Sequence, residues 1–137
     1  VDEGERLGGK VEPAGEPPGV EPLGAEAAAR YFARALLARD PQAAAAALAH
    51  DACLITPGGT EVVGREQIGA VLSQLTASSQ RLEIRSGRTV VRGGVALCTQ
   101  LWRRGGQGSD YRYSTMARLV LAQVRGGWKI VIVSPWE

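Results

Sequence analysis

The sequence predicts an α+β domain: about three helices packed on one face of a curved antiparallel sheet. Three observations predict it. Apolar residues recur at helical spacing in the first half and along strand-like runs in the second. Glycine pairs at 93–94 and 126–127 mark tight hairpin turns between those runs. The closing stretch from Thr115 to Trp136 carries apolar residues on both faces of both its strands. Val120 and Ala122 are expected to oppose Leu119 and Leu121, and Ile130 and Ile132 to oppose Val131 and Val133. A strand apolar on both sides needs cover on both sides. The chain's own helices supply one cover, and a partner subunit is inferred for the other.

The elements follow in order. Residues 1–24 are rich in Gly, Pro and Glu, with Glu-Pro at 12–13, 16–17 and 21–22. They are expected to be a disordered or extended tail, or a linker to a further domain, before a domain spanning 25–137. The chain begins with Val rather than Met, so it is expected to be trimmed or cut from something longer. Residues 25–39 predict a first helix with Ala28, Phe32, Ala35 and Leu36 on one face. Asp40-Pro41 is a restart signal: Asp caps orphan amides and Pro fits the first helical position. A thin, Ala-rich second helix is expected over 41–49, closed by His50-Asp51. Ala52–Thr56 predicts a short strand stopped by Pro57-Gly58-Gly59, and Glu61–Val63 another. Gly64 opens a third helix with Ile68, Val71, Leu72 and Leu75 in one stripe. Strands are then expected over 81–85 and 88–92, with a bulge or bend at Ser86-Gly87 between them. A long strand over 95–104 follows, then a flexible 105–108 loop, and a strand from Tyr111 leads into the closing hairpin.

Composition excludes several classes. At 137 residues with 45% apolar content, the chain is one ordinary globular domain. No apolar run approaches the ~20 residues of a membrane span, and no secretory signal is visible, so a cytoplasmic location is expected. One histidine and two distant cysteines, Cys53 and Cys98, offer no metal-ligand spacing, so no metal and no cofactor is expected. The net charge of +2 hides an asymmetry. Residues 1–26 hold seven of the 14 acids and two of the 16 bases, which leaves 14 bases and seven acids over 27–137. An arginine-rich body fits a solvated surface or an anionic partner. Nucleic acid is not expected, because aromatic residues are few and no reader motif is present.

The landmarks Ala-Arg-Asp-Pro at 38–41, His-Asp-Ala-Cys-Leu at 50–54, Pro-Gly-Gly at 57–59, Val-Gly-Arg-Glu-Gln-Ile at 63–68 and Gly-Gly-Trp-Lys-Ile at 126–130 fall in a telling order. Over about residues 25–136 the chain resembles the cystatin-like α+β barrel of nuclear transport factor 2-like proteins, closest to their SnoaL-like and ketosteroid-isomerase-like groups. The ending Ser134-Pro135-Trp136 is similar to the SgcJ-type subgroup. The resemblance implies a conical cavity between the first helix and the concave sheet, and homodimers packed sheet on sheet.

It also implies which residues line the cavity. The isomerase base position falls on Thr56, whose hydroxyl is far too weak a base to take a carbon-bound proton. The tyrosine donor position falls on Phe32, one turn before Leu36, and the second oxyanion donor falls near Val120 or Arg118. No Asp pair accompanies Arg118, as an epoxide-hydrolase-like site would need. No catalytic residue is therefore assigned. Period-two reading puts Ala96, Cys98, Gln100 and Trp102 on one face, concave by resemblance. A buried Gln100 must bond either the backbone or a ligand. An inward Arg118 would need an anionic partner, and an outward one would be solvated. The expected pocket is thus Phe32, Leu36, Thr56, Cys98, Gln100, Trp102 and Arg118. The expected function is non-catalytic binding of a small apolar or aromatic molecule by a homodimer. Two alternatives stand beside it: a cyclase, isomerase or hydrolase working from Gln100, Arg118 and Tyr113, or a dimerising interaction module of a longer protein.

Overall fold

The computed structural model describes residues 22–79, 81–105, 113–125 and 127–134. The expected tail up to residue 21, the loop over 106–112 and the Pro135-Trp136 ending lie outside the described residues.

Helix α1 spans Pro22–Leu37, so it starts three residues inside the segment expected to be tail. Pro22 suits a first helical turn, where its missing N–H costs nothing, and Ala25 is already fully buried. The helix stops two residues early, at a Schellman turn. The Arg39 amide donates to the Leu36 carbonyl and the Asp40 amide to the Ala35 carbonyl, with Arg39 in the left-handed region at φ 60°. The Arg39 guanidinium then donates to the carbonyls of Thr76 and Ser79. It satisfies orphan acceptors at the end of another helix, a reason for a non-glycine residue in this conformation. Asp40 caps helix α2 (Pro41–Ala46) by accepting from the Ala43 amide at 3.1 Å.

Helix α2 is shorter than expected. Strand β1 (Leu48–Ile55) begins where the sequence predicts more helix, and His50 and Asp51 are exposed residues within it. Burial of Leu48 and a bond from the Ile130 amide to the Ala47 carbonyl override alanine's helical preference here. Strand β2 (Glu61–Val63) and helix α3 (Arg65–Ser78) follow, then β3 (Arg81–Arg92), β4 (Val95–Gly105), β5 (Tyr113–Val124) and β6 (Gly127–Ser134).

The six strands form one sheet in the order β2-β1-β6-β5-β4-β3. All pairs are antiparallel except β1 with β6, which is parallel, so the sheet is mixed by that one pair. A parallel pair needs a long crossover, and the whole chain between these strands supplies it. The sheet is curved but open, with β2 and β3 as its edges. The predicted bulge in β3 is present: the register shifts between Ser86 and Thr89, so Gly87 and Arg88 together oppose Thr99. A Cβ on Gly87 would lie 2.4 Å from Thr99 Oγ1, so only glycine fits.

Helices α1 and α3 cover one face of the sheet. The core there holds Phe32, Leu36, Leu48, Leu54, Ile68, Leu72, Leu119, Leu121, Trp128, Ile130 and Val133. On β5, Leu119 and Leu121 share one face, as expected, and that face is the inner one. On β6 the strict alternation fails, because the register shifts between Val120 and Leu121 and leaves Val131 as an extra residue. Ile130 and Val133 are consequently buried, while Ile132 faces out.

Candidate functional site

The inner face brings together five of the seven residues predicted to line a pocket. Phe32, Leu36, Cys98, Gln100 and Trp102 are all at most 1% exposed. Helix periodicity sets the first two, and strand alternation sets the other three. The Phe32 and Trp102 rings lie 6.3 Å apart, centroid to centroid, in a tilted arrangement. Gln100 Nε2 donates to the Ala29 carbonyl at 3.0 Å, and its Oε1 accepts from Trp102 Nε1 at 3.0 Å. Each end of the amide therefore has a partner within the chain, and so does the indole N–H. Thr56 does not join this group. Its hydroxyl closes the 56–60 turn, 2.6 Å from Thr60 Oγ1 and accepting from the Thr60 amide. Arg118 does not join it either. It pairs in register with Thr99, on the face opposite Gln100, and is exposed. The inward placement of Arg118 is corrected by that register. Tyr113 has its side chain outside the described residues.

The inner face offers little acid–base chemistry. Among the described residues, the buried polar side chains are Thr76, Ser79 and Gln100. Cys98 is the buried thiol, and burial pushes its pKa up against the opposing effect of the Thr89 hydroxyl, 3.4 Å from its sulfur. A thiol held protonated is a poor nucleophile. No group of three His, Cys, Asp or Glu among the described residues is arranged to hold a metal ion. Two clefts border α3. One, of about 500 Å³, is an open groove along the helix's exposed flank, lined by Ala70, Ser73, Gln74, Ala77 and Ser78. The other, of about 240 Å³, is bounded by Val71, Gln74, Leu75, Ser78 and Arg104. Neither touches the predicted pocket residues.

The outer face is organised differently. The register places Val63 beside Cys53, Cys53 beside Ile132, Ile132 beside Val120, Val120 beside Leu97 and Leu97 beside Val90. One apolar row thus crosses all six strands, in a direction perpendicular to the chain. Val63 is 54% exposed, Leu97 43% and Ile132 36%. Val95 and Met116, also exposed, flank the row on either side, with Leu101 half-buried beside Met116. Polar groups border it. Arg118, Thr99 and Ser134 lie in the next line of the register, and Glu61 and Arg88, both exposed, stand on the two edge strands at the ends of that line. Sequence reading located the apolar outer surface of β5 and β6. It missed Val63, Cys53, Leu97 and Val90, because no local signal shows which strands become neighbours.

Six strands curved over three helices define the cystatin-like α+β class, and solved structures agree. A domain of unknown function with a cystatin-like fold from Nostoc punctiforme shares 24% identity over 80% of this chain and 72% of its own, with a TM-score of 0.67. A candidate calcium/calmodulin-dependent protein kinase type II association domain from Thiobacillus denitrificans gives 22% identity, 82% and 94% coverage and a TM-score of 0.67. A candidate ketosteroid isomerase from Shewanella frigidimarina gives 22%, 80% and 92%, and 0.66. The SnoaL-like domain model matches residues 28–131, and the chain belongs to that family. No curated protein matches it. The Ser134-Pro135-Trp136 ending, which carries the SgcJ-type resemblance, lies beyond the family match, and its last two residues lie outside the described residues. Among the described residues no helix is long and apolar enough to cross a membrane.

Proposed function

We propose that this SnoaL-like domain is a self-associating interaction module, acting in the cytoplasm through the outer face of its sheet. The observation that carries the reading is the apolar row from Val63 to Val90. Five inter-strand spacings make it about 24 Å wide. With its flanking residues it offers a footprint on the order of 500–800 Å², near the ~800 Å² per partner of a stable interface. A second copy is the fitting occupant, since a low, apolar band of this kind can complement itself across a two-fold axis. The fold neighbour named as a candidate association domain supports the same reading. Light scattering of the full chain should give twice the mass of one chain at micromolar concentration. Val120→Lys should give single chains with an unchanged circular dichroism spectrum. A wild-type protein that stays single at concentrations on the order of 100 μM, well above the micromolar range of specific pairing, would overturn the proposal.

Binding of a small apolar or aromatic molecule comes second. Supporting it, Thr115 Oγ1 is buried without a partner, on the inner face opposite Trp102, and one fold neighbour is named as a candidate isomerase. Against it, Gln100 and Trp102 are bonded to the chain itself, and the cleft near Arg104 is smaller than the ~300 Å³ at which ligand pockets begin. A thermal-shift screen with aromatic compounds tests this reading; no shift with any of them removes it.

A further inference from the structure

The split between an acidic start and an arginine-rich body plays no part in the pairing proposed above, and the fold begins the described chain beside a basic edge of the sheet. Strand β3 is that edge. It carries Arg81, Arg85, Arg88 and Arg92 against one acid, Glu83. Glu83 is already shared between Arg85 at 2.5 Å and Arg103 at 3.2 Å. Arg88 and Arg92 are exposed, and among the described residues neither has an ion pair.

Helix α1 packs beneath β3 and β4. The Ala29 carbonyl is bonded to Gln100 and the Phe32 ring packs on Trp102, so the helix runs the same way along the sheet as β4. Its first turn, from Pro22, therefore lies toward Ala96, whose register partner on the edge strand is Val91. The segment that leads into α1 thus joins the described fold close to Arg92.

That segment has the complementary charge. Residues 11–21 hold Glu12, Glu16 and Glu21 and no base. Pro13, Pro17 and Pro18 favour an extended course at ~3.1 Å per residue, so the stretch from Glu12 to Glu21 covers about 28 Å. Along β3, Arg85 and Arg92 stand about 20 Å apart, allowing one residue for the bulge. The length suffices to follow the edge past Arg92 and Arg88. Prolines lack the N–H that strand addition needs, so the contact is one of side chains. Exposed ion pairs are weak singly, but a tethered segment acts at an effective concentration of about millimolar, which a free acidic partner would have to exceed.

We infer that residues 11–21 lie along the β3 edge of their own chain, with their glutamates on Arg88 and Arg92. The acidic segment then masks a basic edge that would otherwise attract other anions. Pairing of two copies through the outer row is not required for this contact.

Arginine labelling of the full chain with phenylglyoxal, a neutral reagent, tests the inference, with each site read by peptide mass spectrometry. The comparison is with a variant carrying Glu12→Gln, Glu16→Gln and Glu21→Gln together. At low salt, Arg88 and Arg92 should label about threefold more slowly in the wild type than in the variant. Arg34, exposed on α1, should label alike in both and serves as the reference for net charge. The difference should vanish at about 1 M salt, where the screening length is ~3 Å. It should not change with protein concentration, because the contact is within one chain. Equal labelling of Arg88 and Arg92 in the two proteins at low salt overturns the inference. So does protection that grows with concentration, which would assign the edge to another copy. Circular dichroism of the variant should match the wild type, since the substitutions lie outside the core.

Discussion

The two faces of one sheet are almost equally apolar, yet they are built on opposite principles. The inner face carries large side chains of varied shape, Trp102, Trp128 and Leu119, packed in one buried core with Phe32 and Leu36 of helix α1. Its one polar interior amide, Gln100, is anchored at both ends. The outer face carries Val63, Cys53, Ile132, Val120, Leu97 and Val90, smaller and mostly branched, in a single even row. Varied shapes that interlock with the chain's own helices specify one fold. A uniform row specifies little by itself, and suits contact with an identical row. Apolar content therefore does not distinguish a core from an interface; side-chain variety and polar satisfaction do.

The sharpest break in that comparison comes from equivalent substitutions on the two faces. Trp102→Ala removes the ring that packs on Phe32 and the donor that Gln100 accepts from. It should cost about 3–5 kcal/mol of folding stability in urea titration. Val120→Lys, on the face turned away from the helices, should change the stability of the single chain by no more than about 0.5 kcal/mol. It should also abolish the rise of melting temperature with protein concentration that mass action gives a wild-type dimer. Equal losses from the two variants would mean that the faces are not functionally distinct.

Gln100→Leu should give a smaller effect, and its sign separates the two readings of the pocket. The substitution leaves the Trp102 indole N–H without its acceptor and removes the donor to the Ala29 carbonyl. If Gln100 is there to satisfy the interior, stability should fall by about 1–3 kcal/mol. If Gln100 is kept for a ligand, the variant should be as stable as the wild type or more so, and the small-molecule reading would gain.

Much of this was legible in the sequence, and the parts that were not share a cause. Alternation placed Cys98, Gln100 and Trp102 on one face, since nothing interrupts the pairing of that part of β4 with β5, and the family resemblance marked that face as the inner one. The bulge at Ser86-Gly87 was legible because glycine there has a local steric reason. The expected alternation of β6 failed at Val131, because a bulge that depends on the neighbouring strand leaves no mark in a run of Ile and Val. Arg118 stayed ambiguous for the same reason: its face depends on counting from Thr99 across a strand pair. His50-Asp51 read as a helix end, although β1 pairs with β6 some eighty residues later and draws them into a strand. The outer row as a whole was invisible, because it runs across six strands and is contiguous in none.

The two cysteines give the smallest and most local test, since one sits on each face. Cys53 belongs to the outer row and is partly exposed; Cys98 is buried inside. Burial raises both pKa values, with Glu61 adding to the effect at Cys53. For Cys98 the folded pKa lies above the unfolded value near 9, so the folded state holds more protons. Its contribution to stability is complete below about pH 9 and is lost as pH rises through the folded pKa. Cys98→Ala should accordingly flatten the alkaline fall in stability, whereas the same change at Cys53, on a more exposed thiol, should do so less. Thiol labelling at about pH 8, near the ordinary thiol pKa, carries the comparison to the proposed interface. Cys53 should react first, and faster when the protein is diluted below its dimer dissociation constant, because a second copy would cover it. Cys98 should react only on the timescale of global unfolding, whatever the dilution. Two thiols labelled together, at a rate independent of concentration, would leave the outer row open to solvent and remove the distinction between the faces.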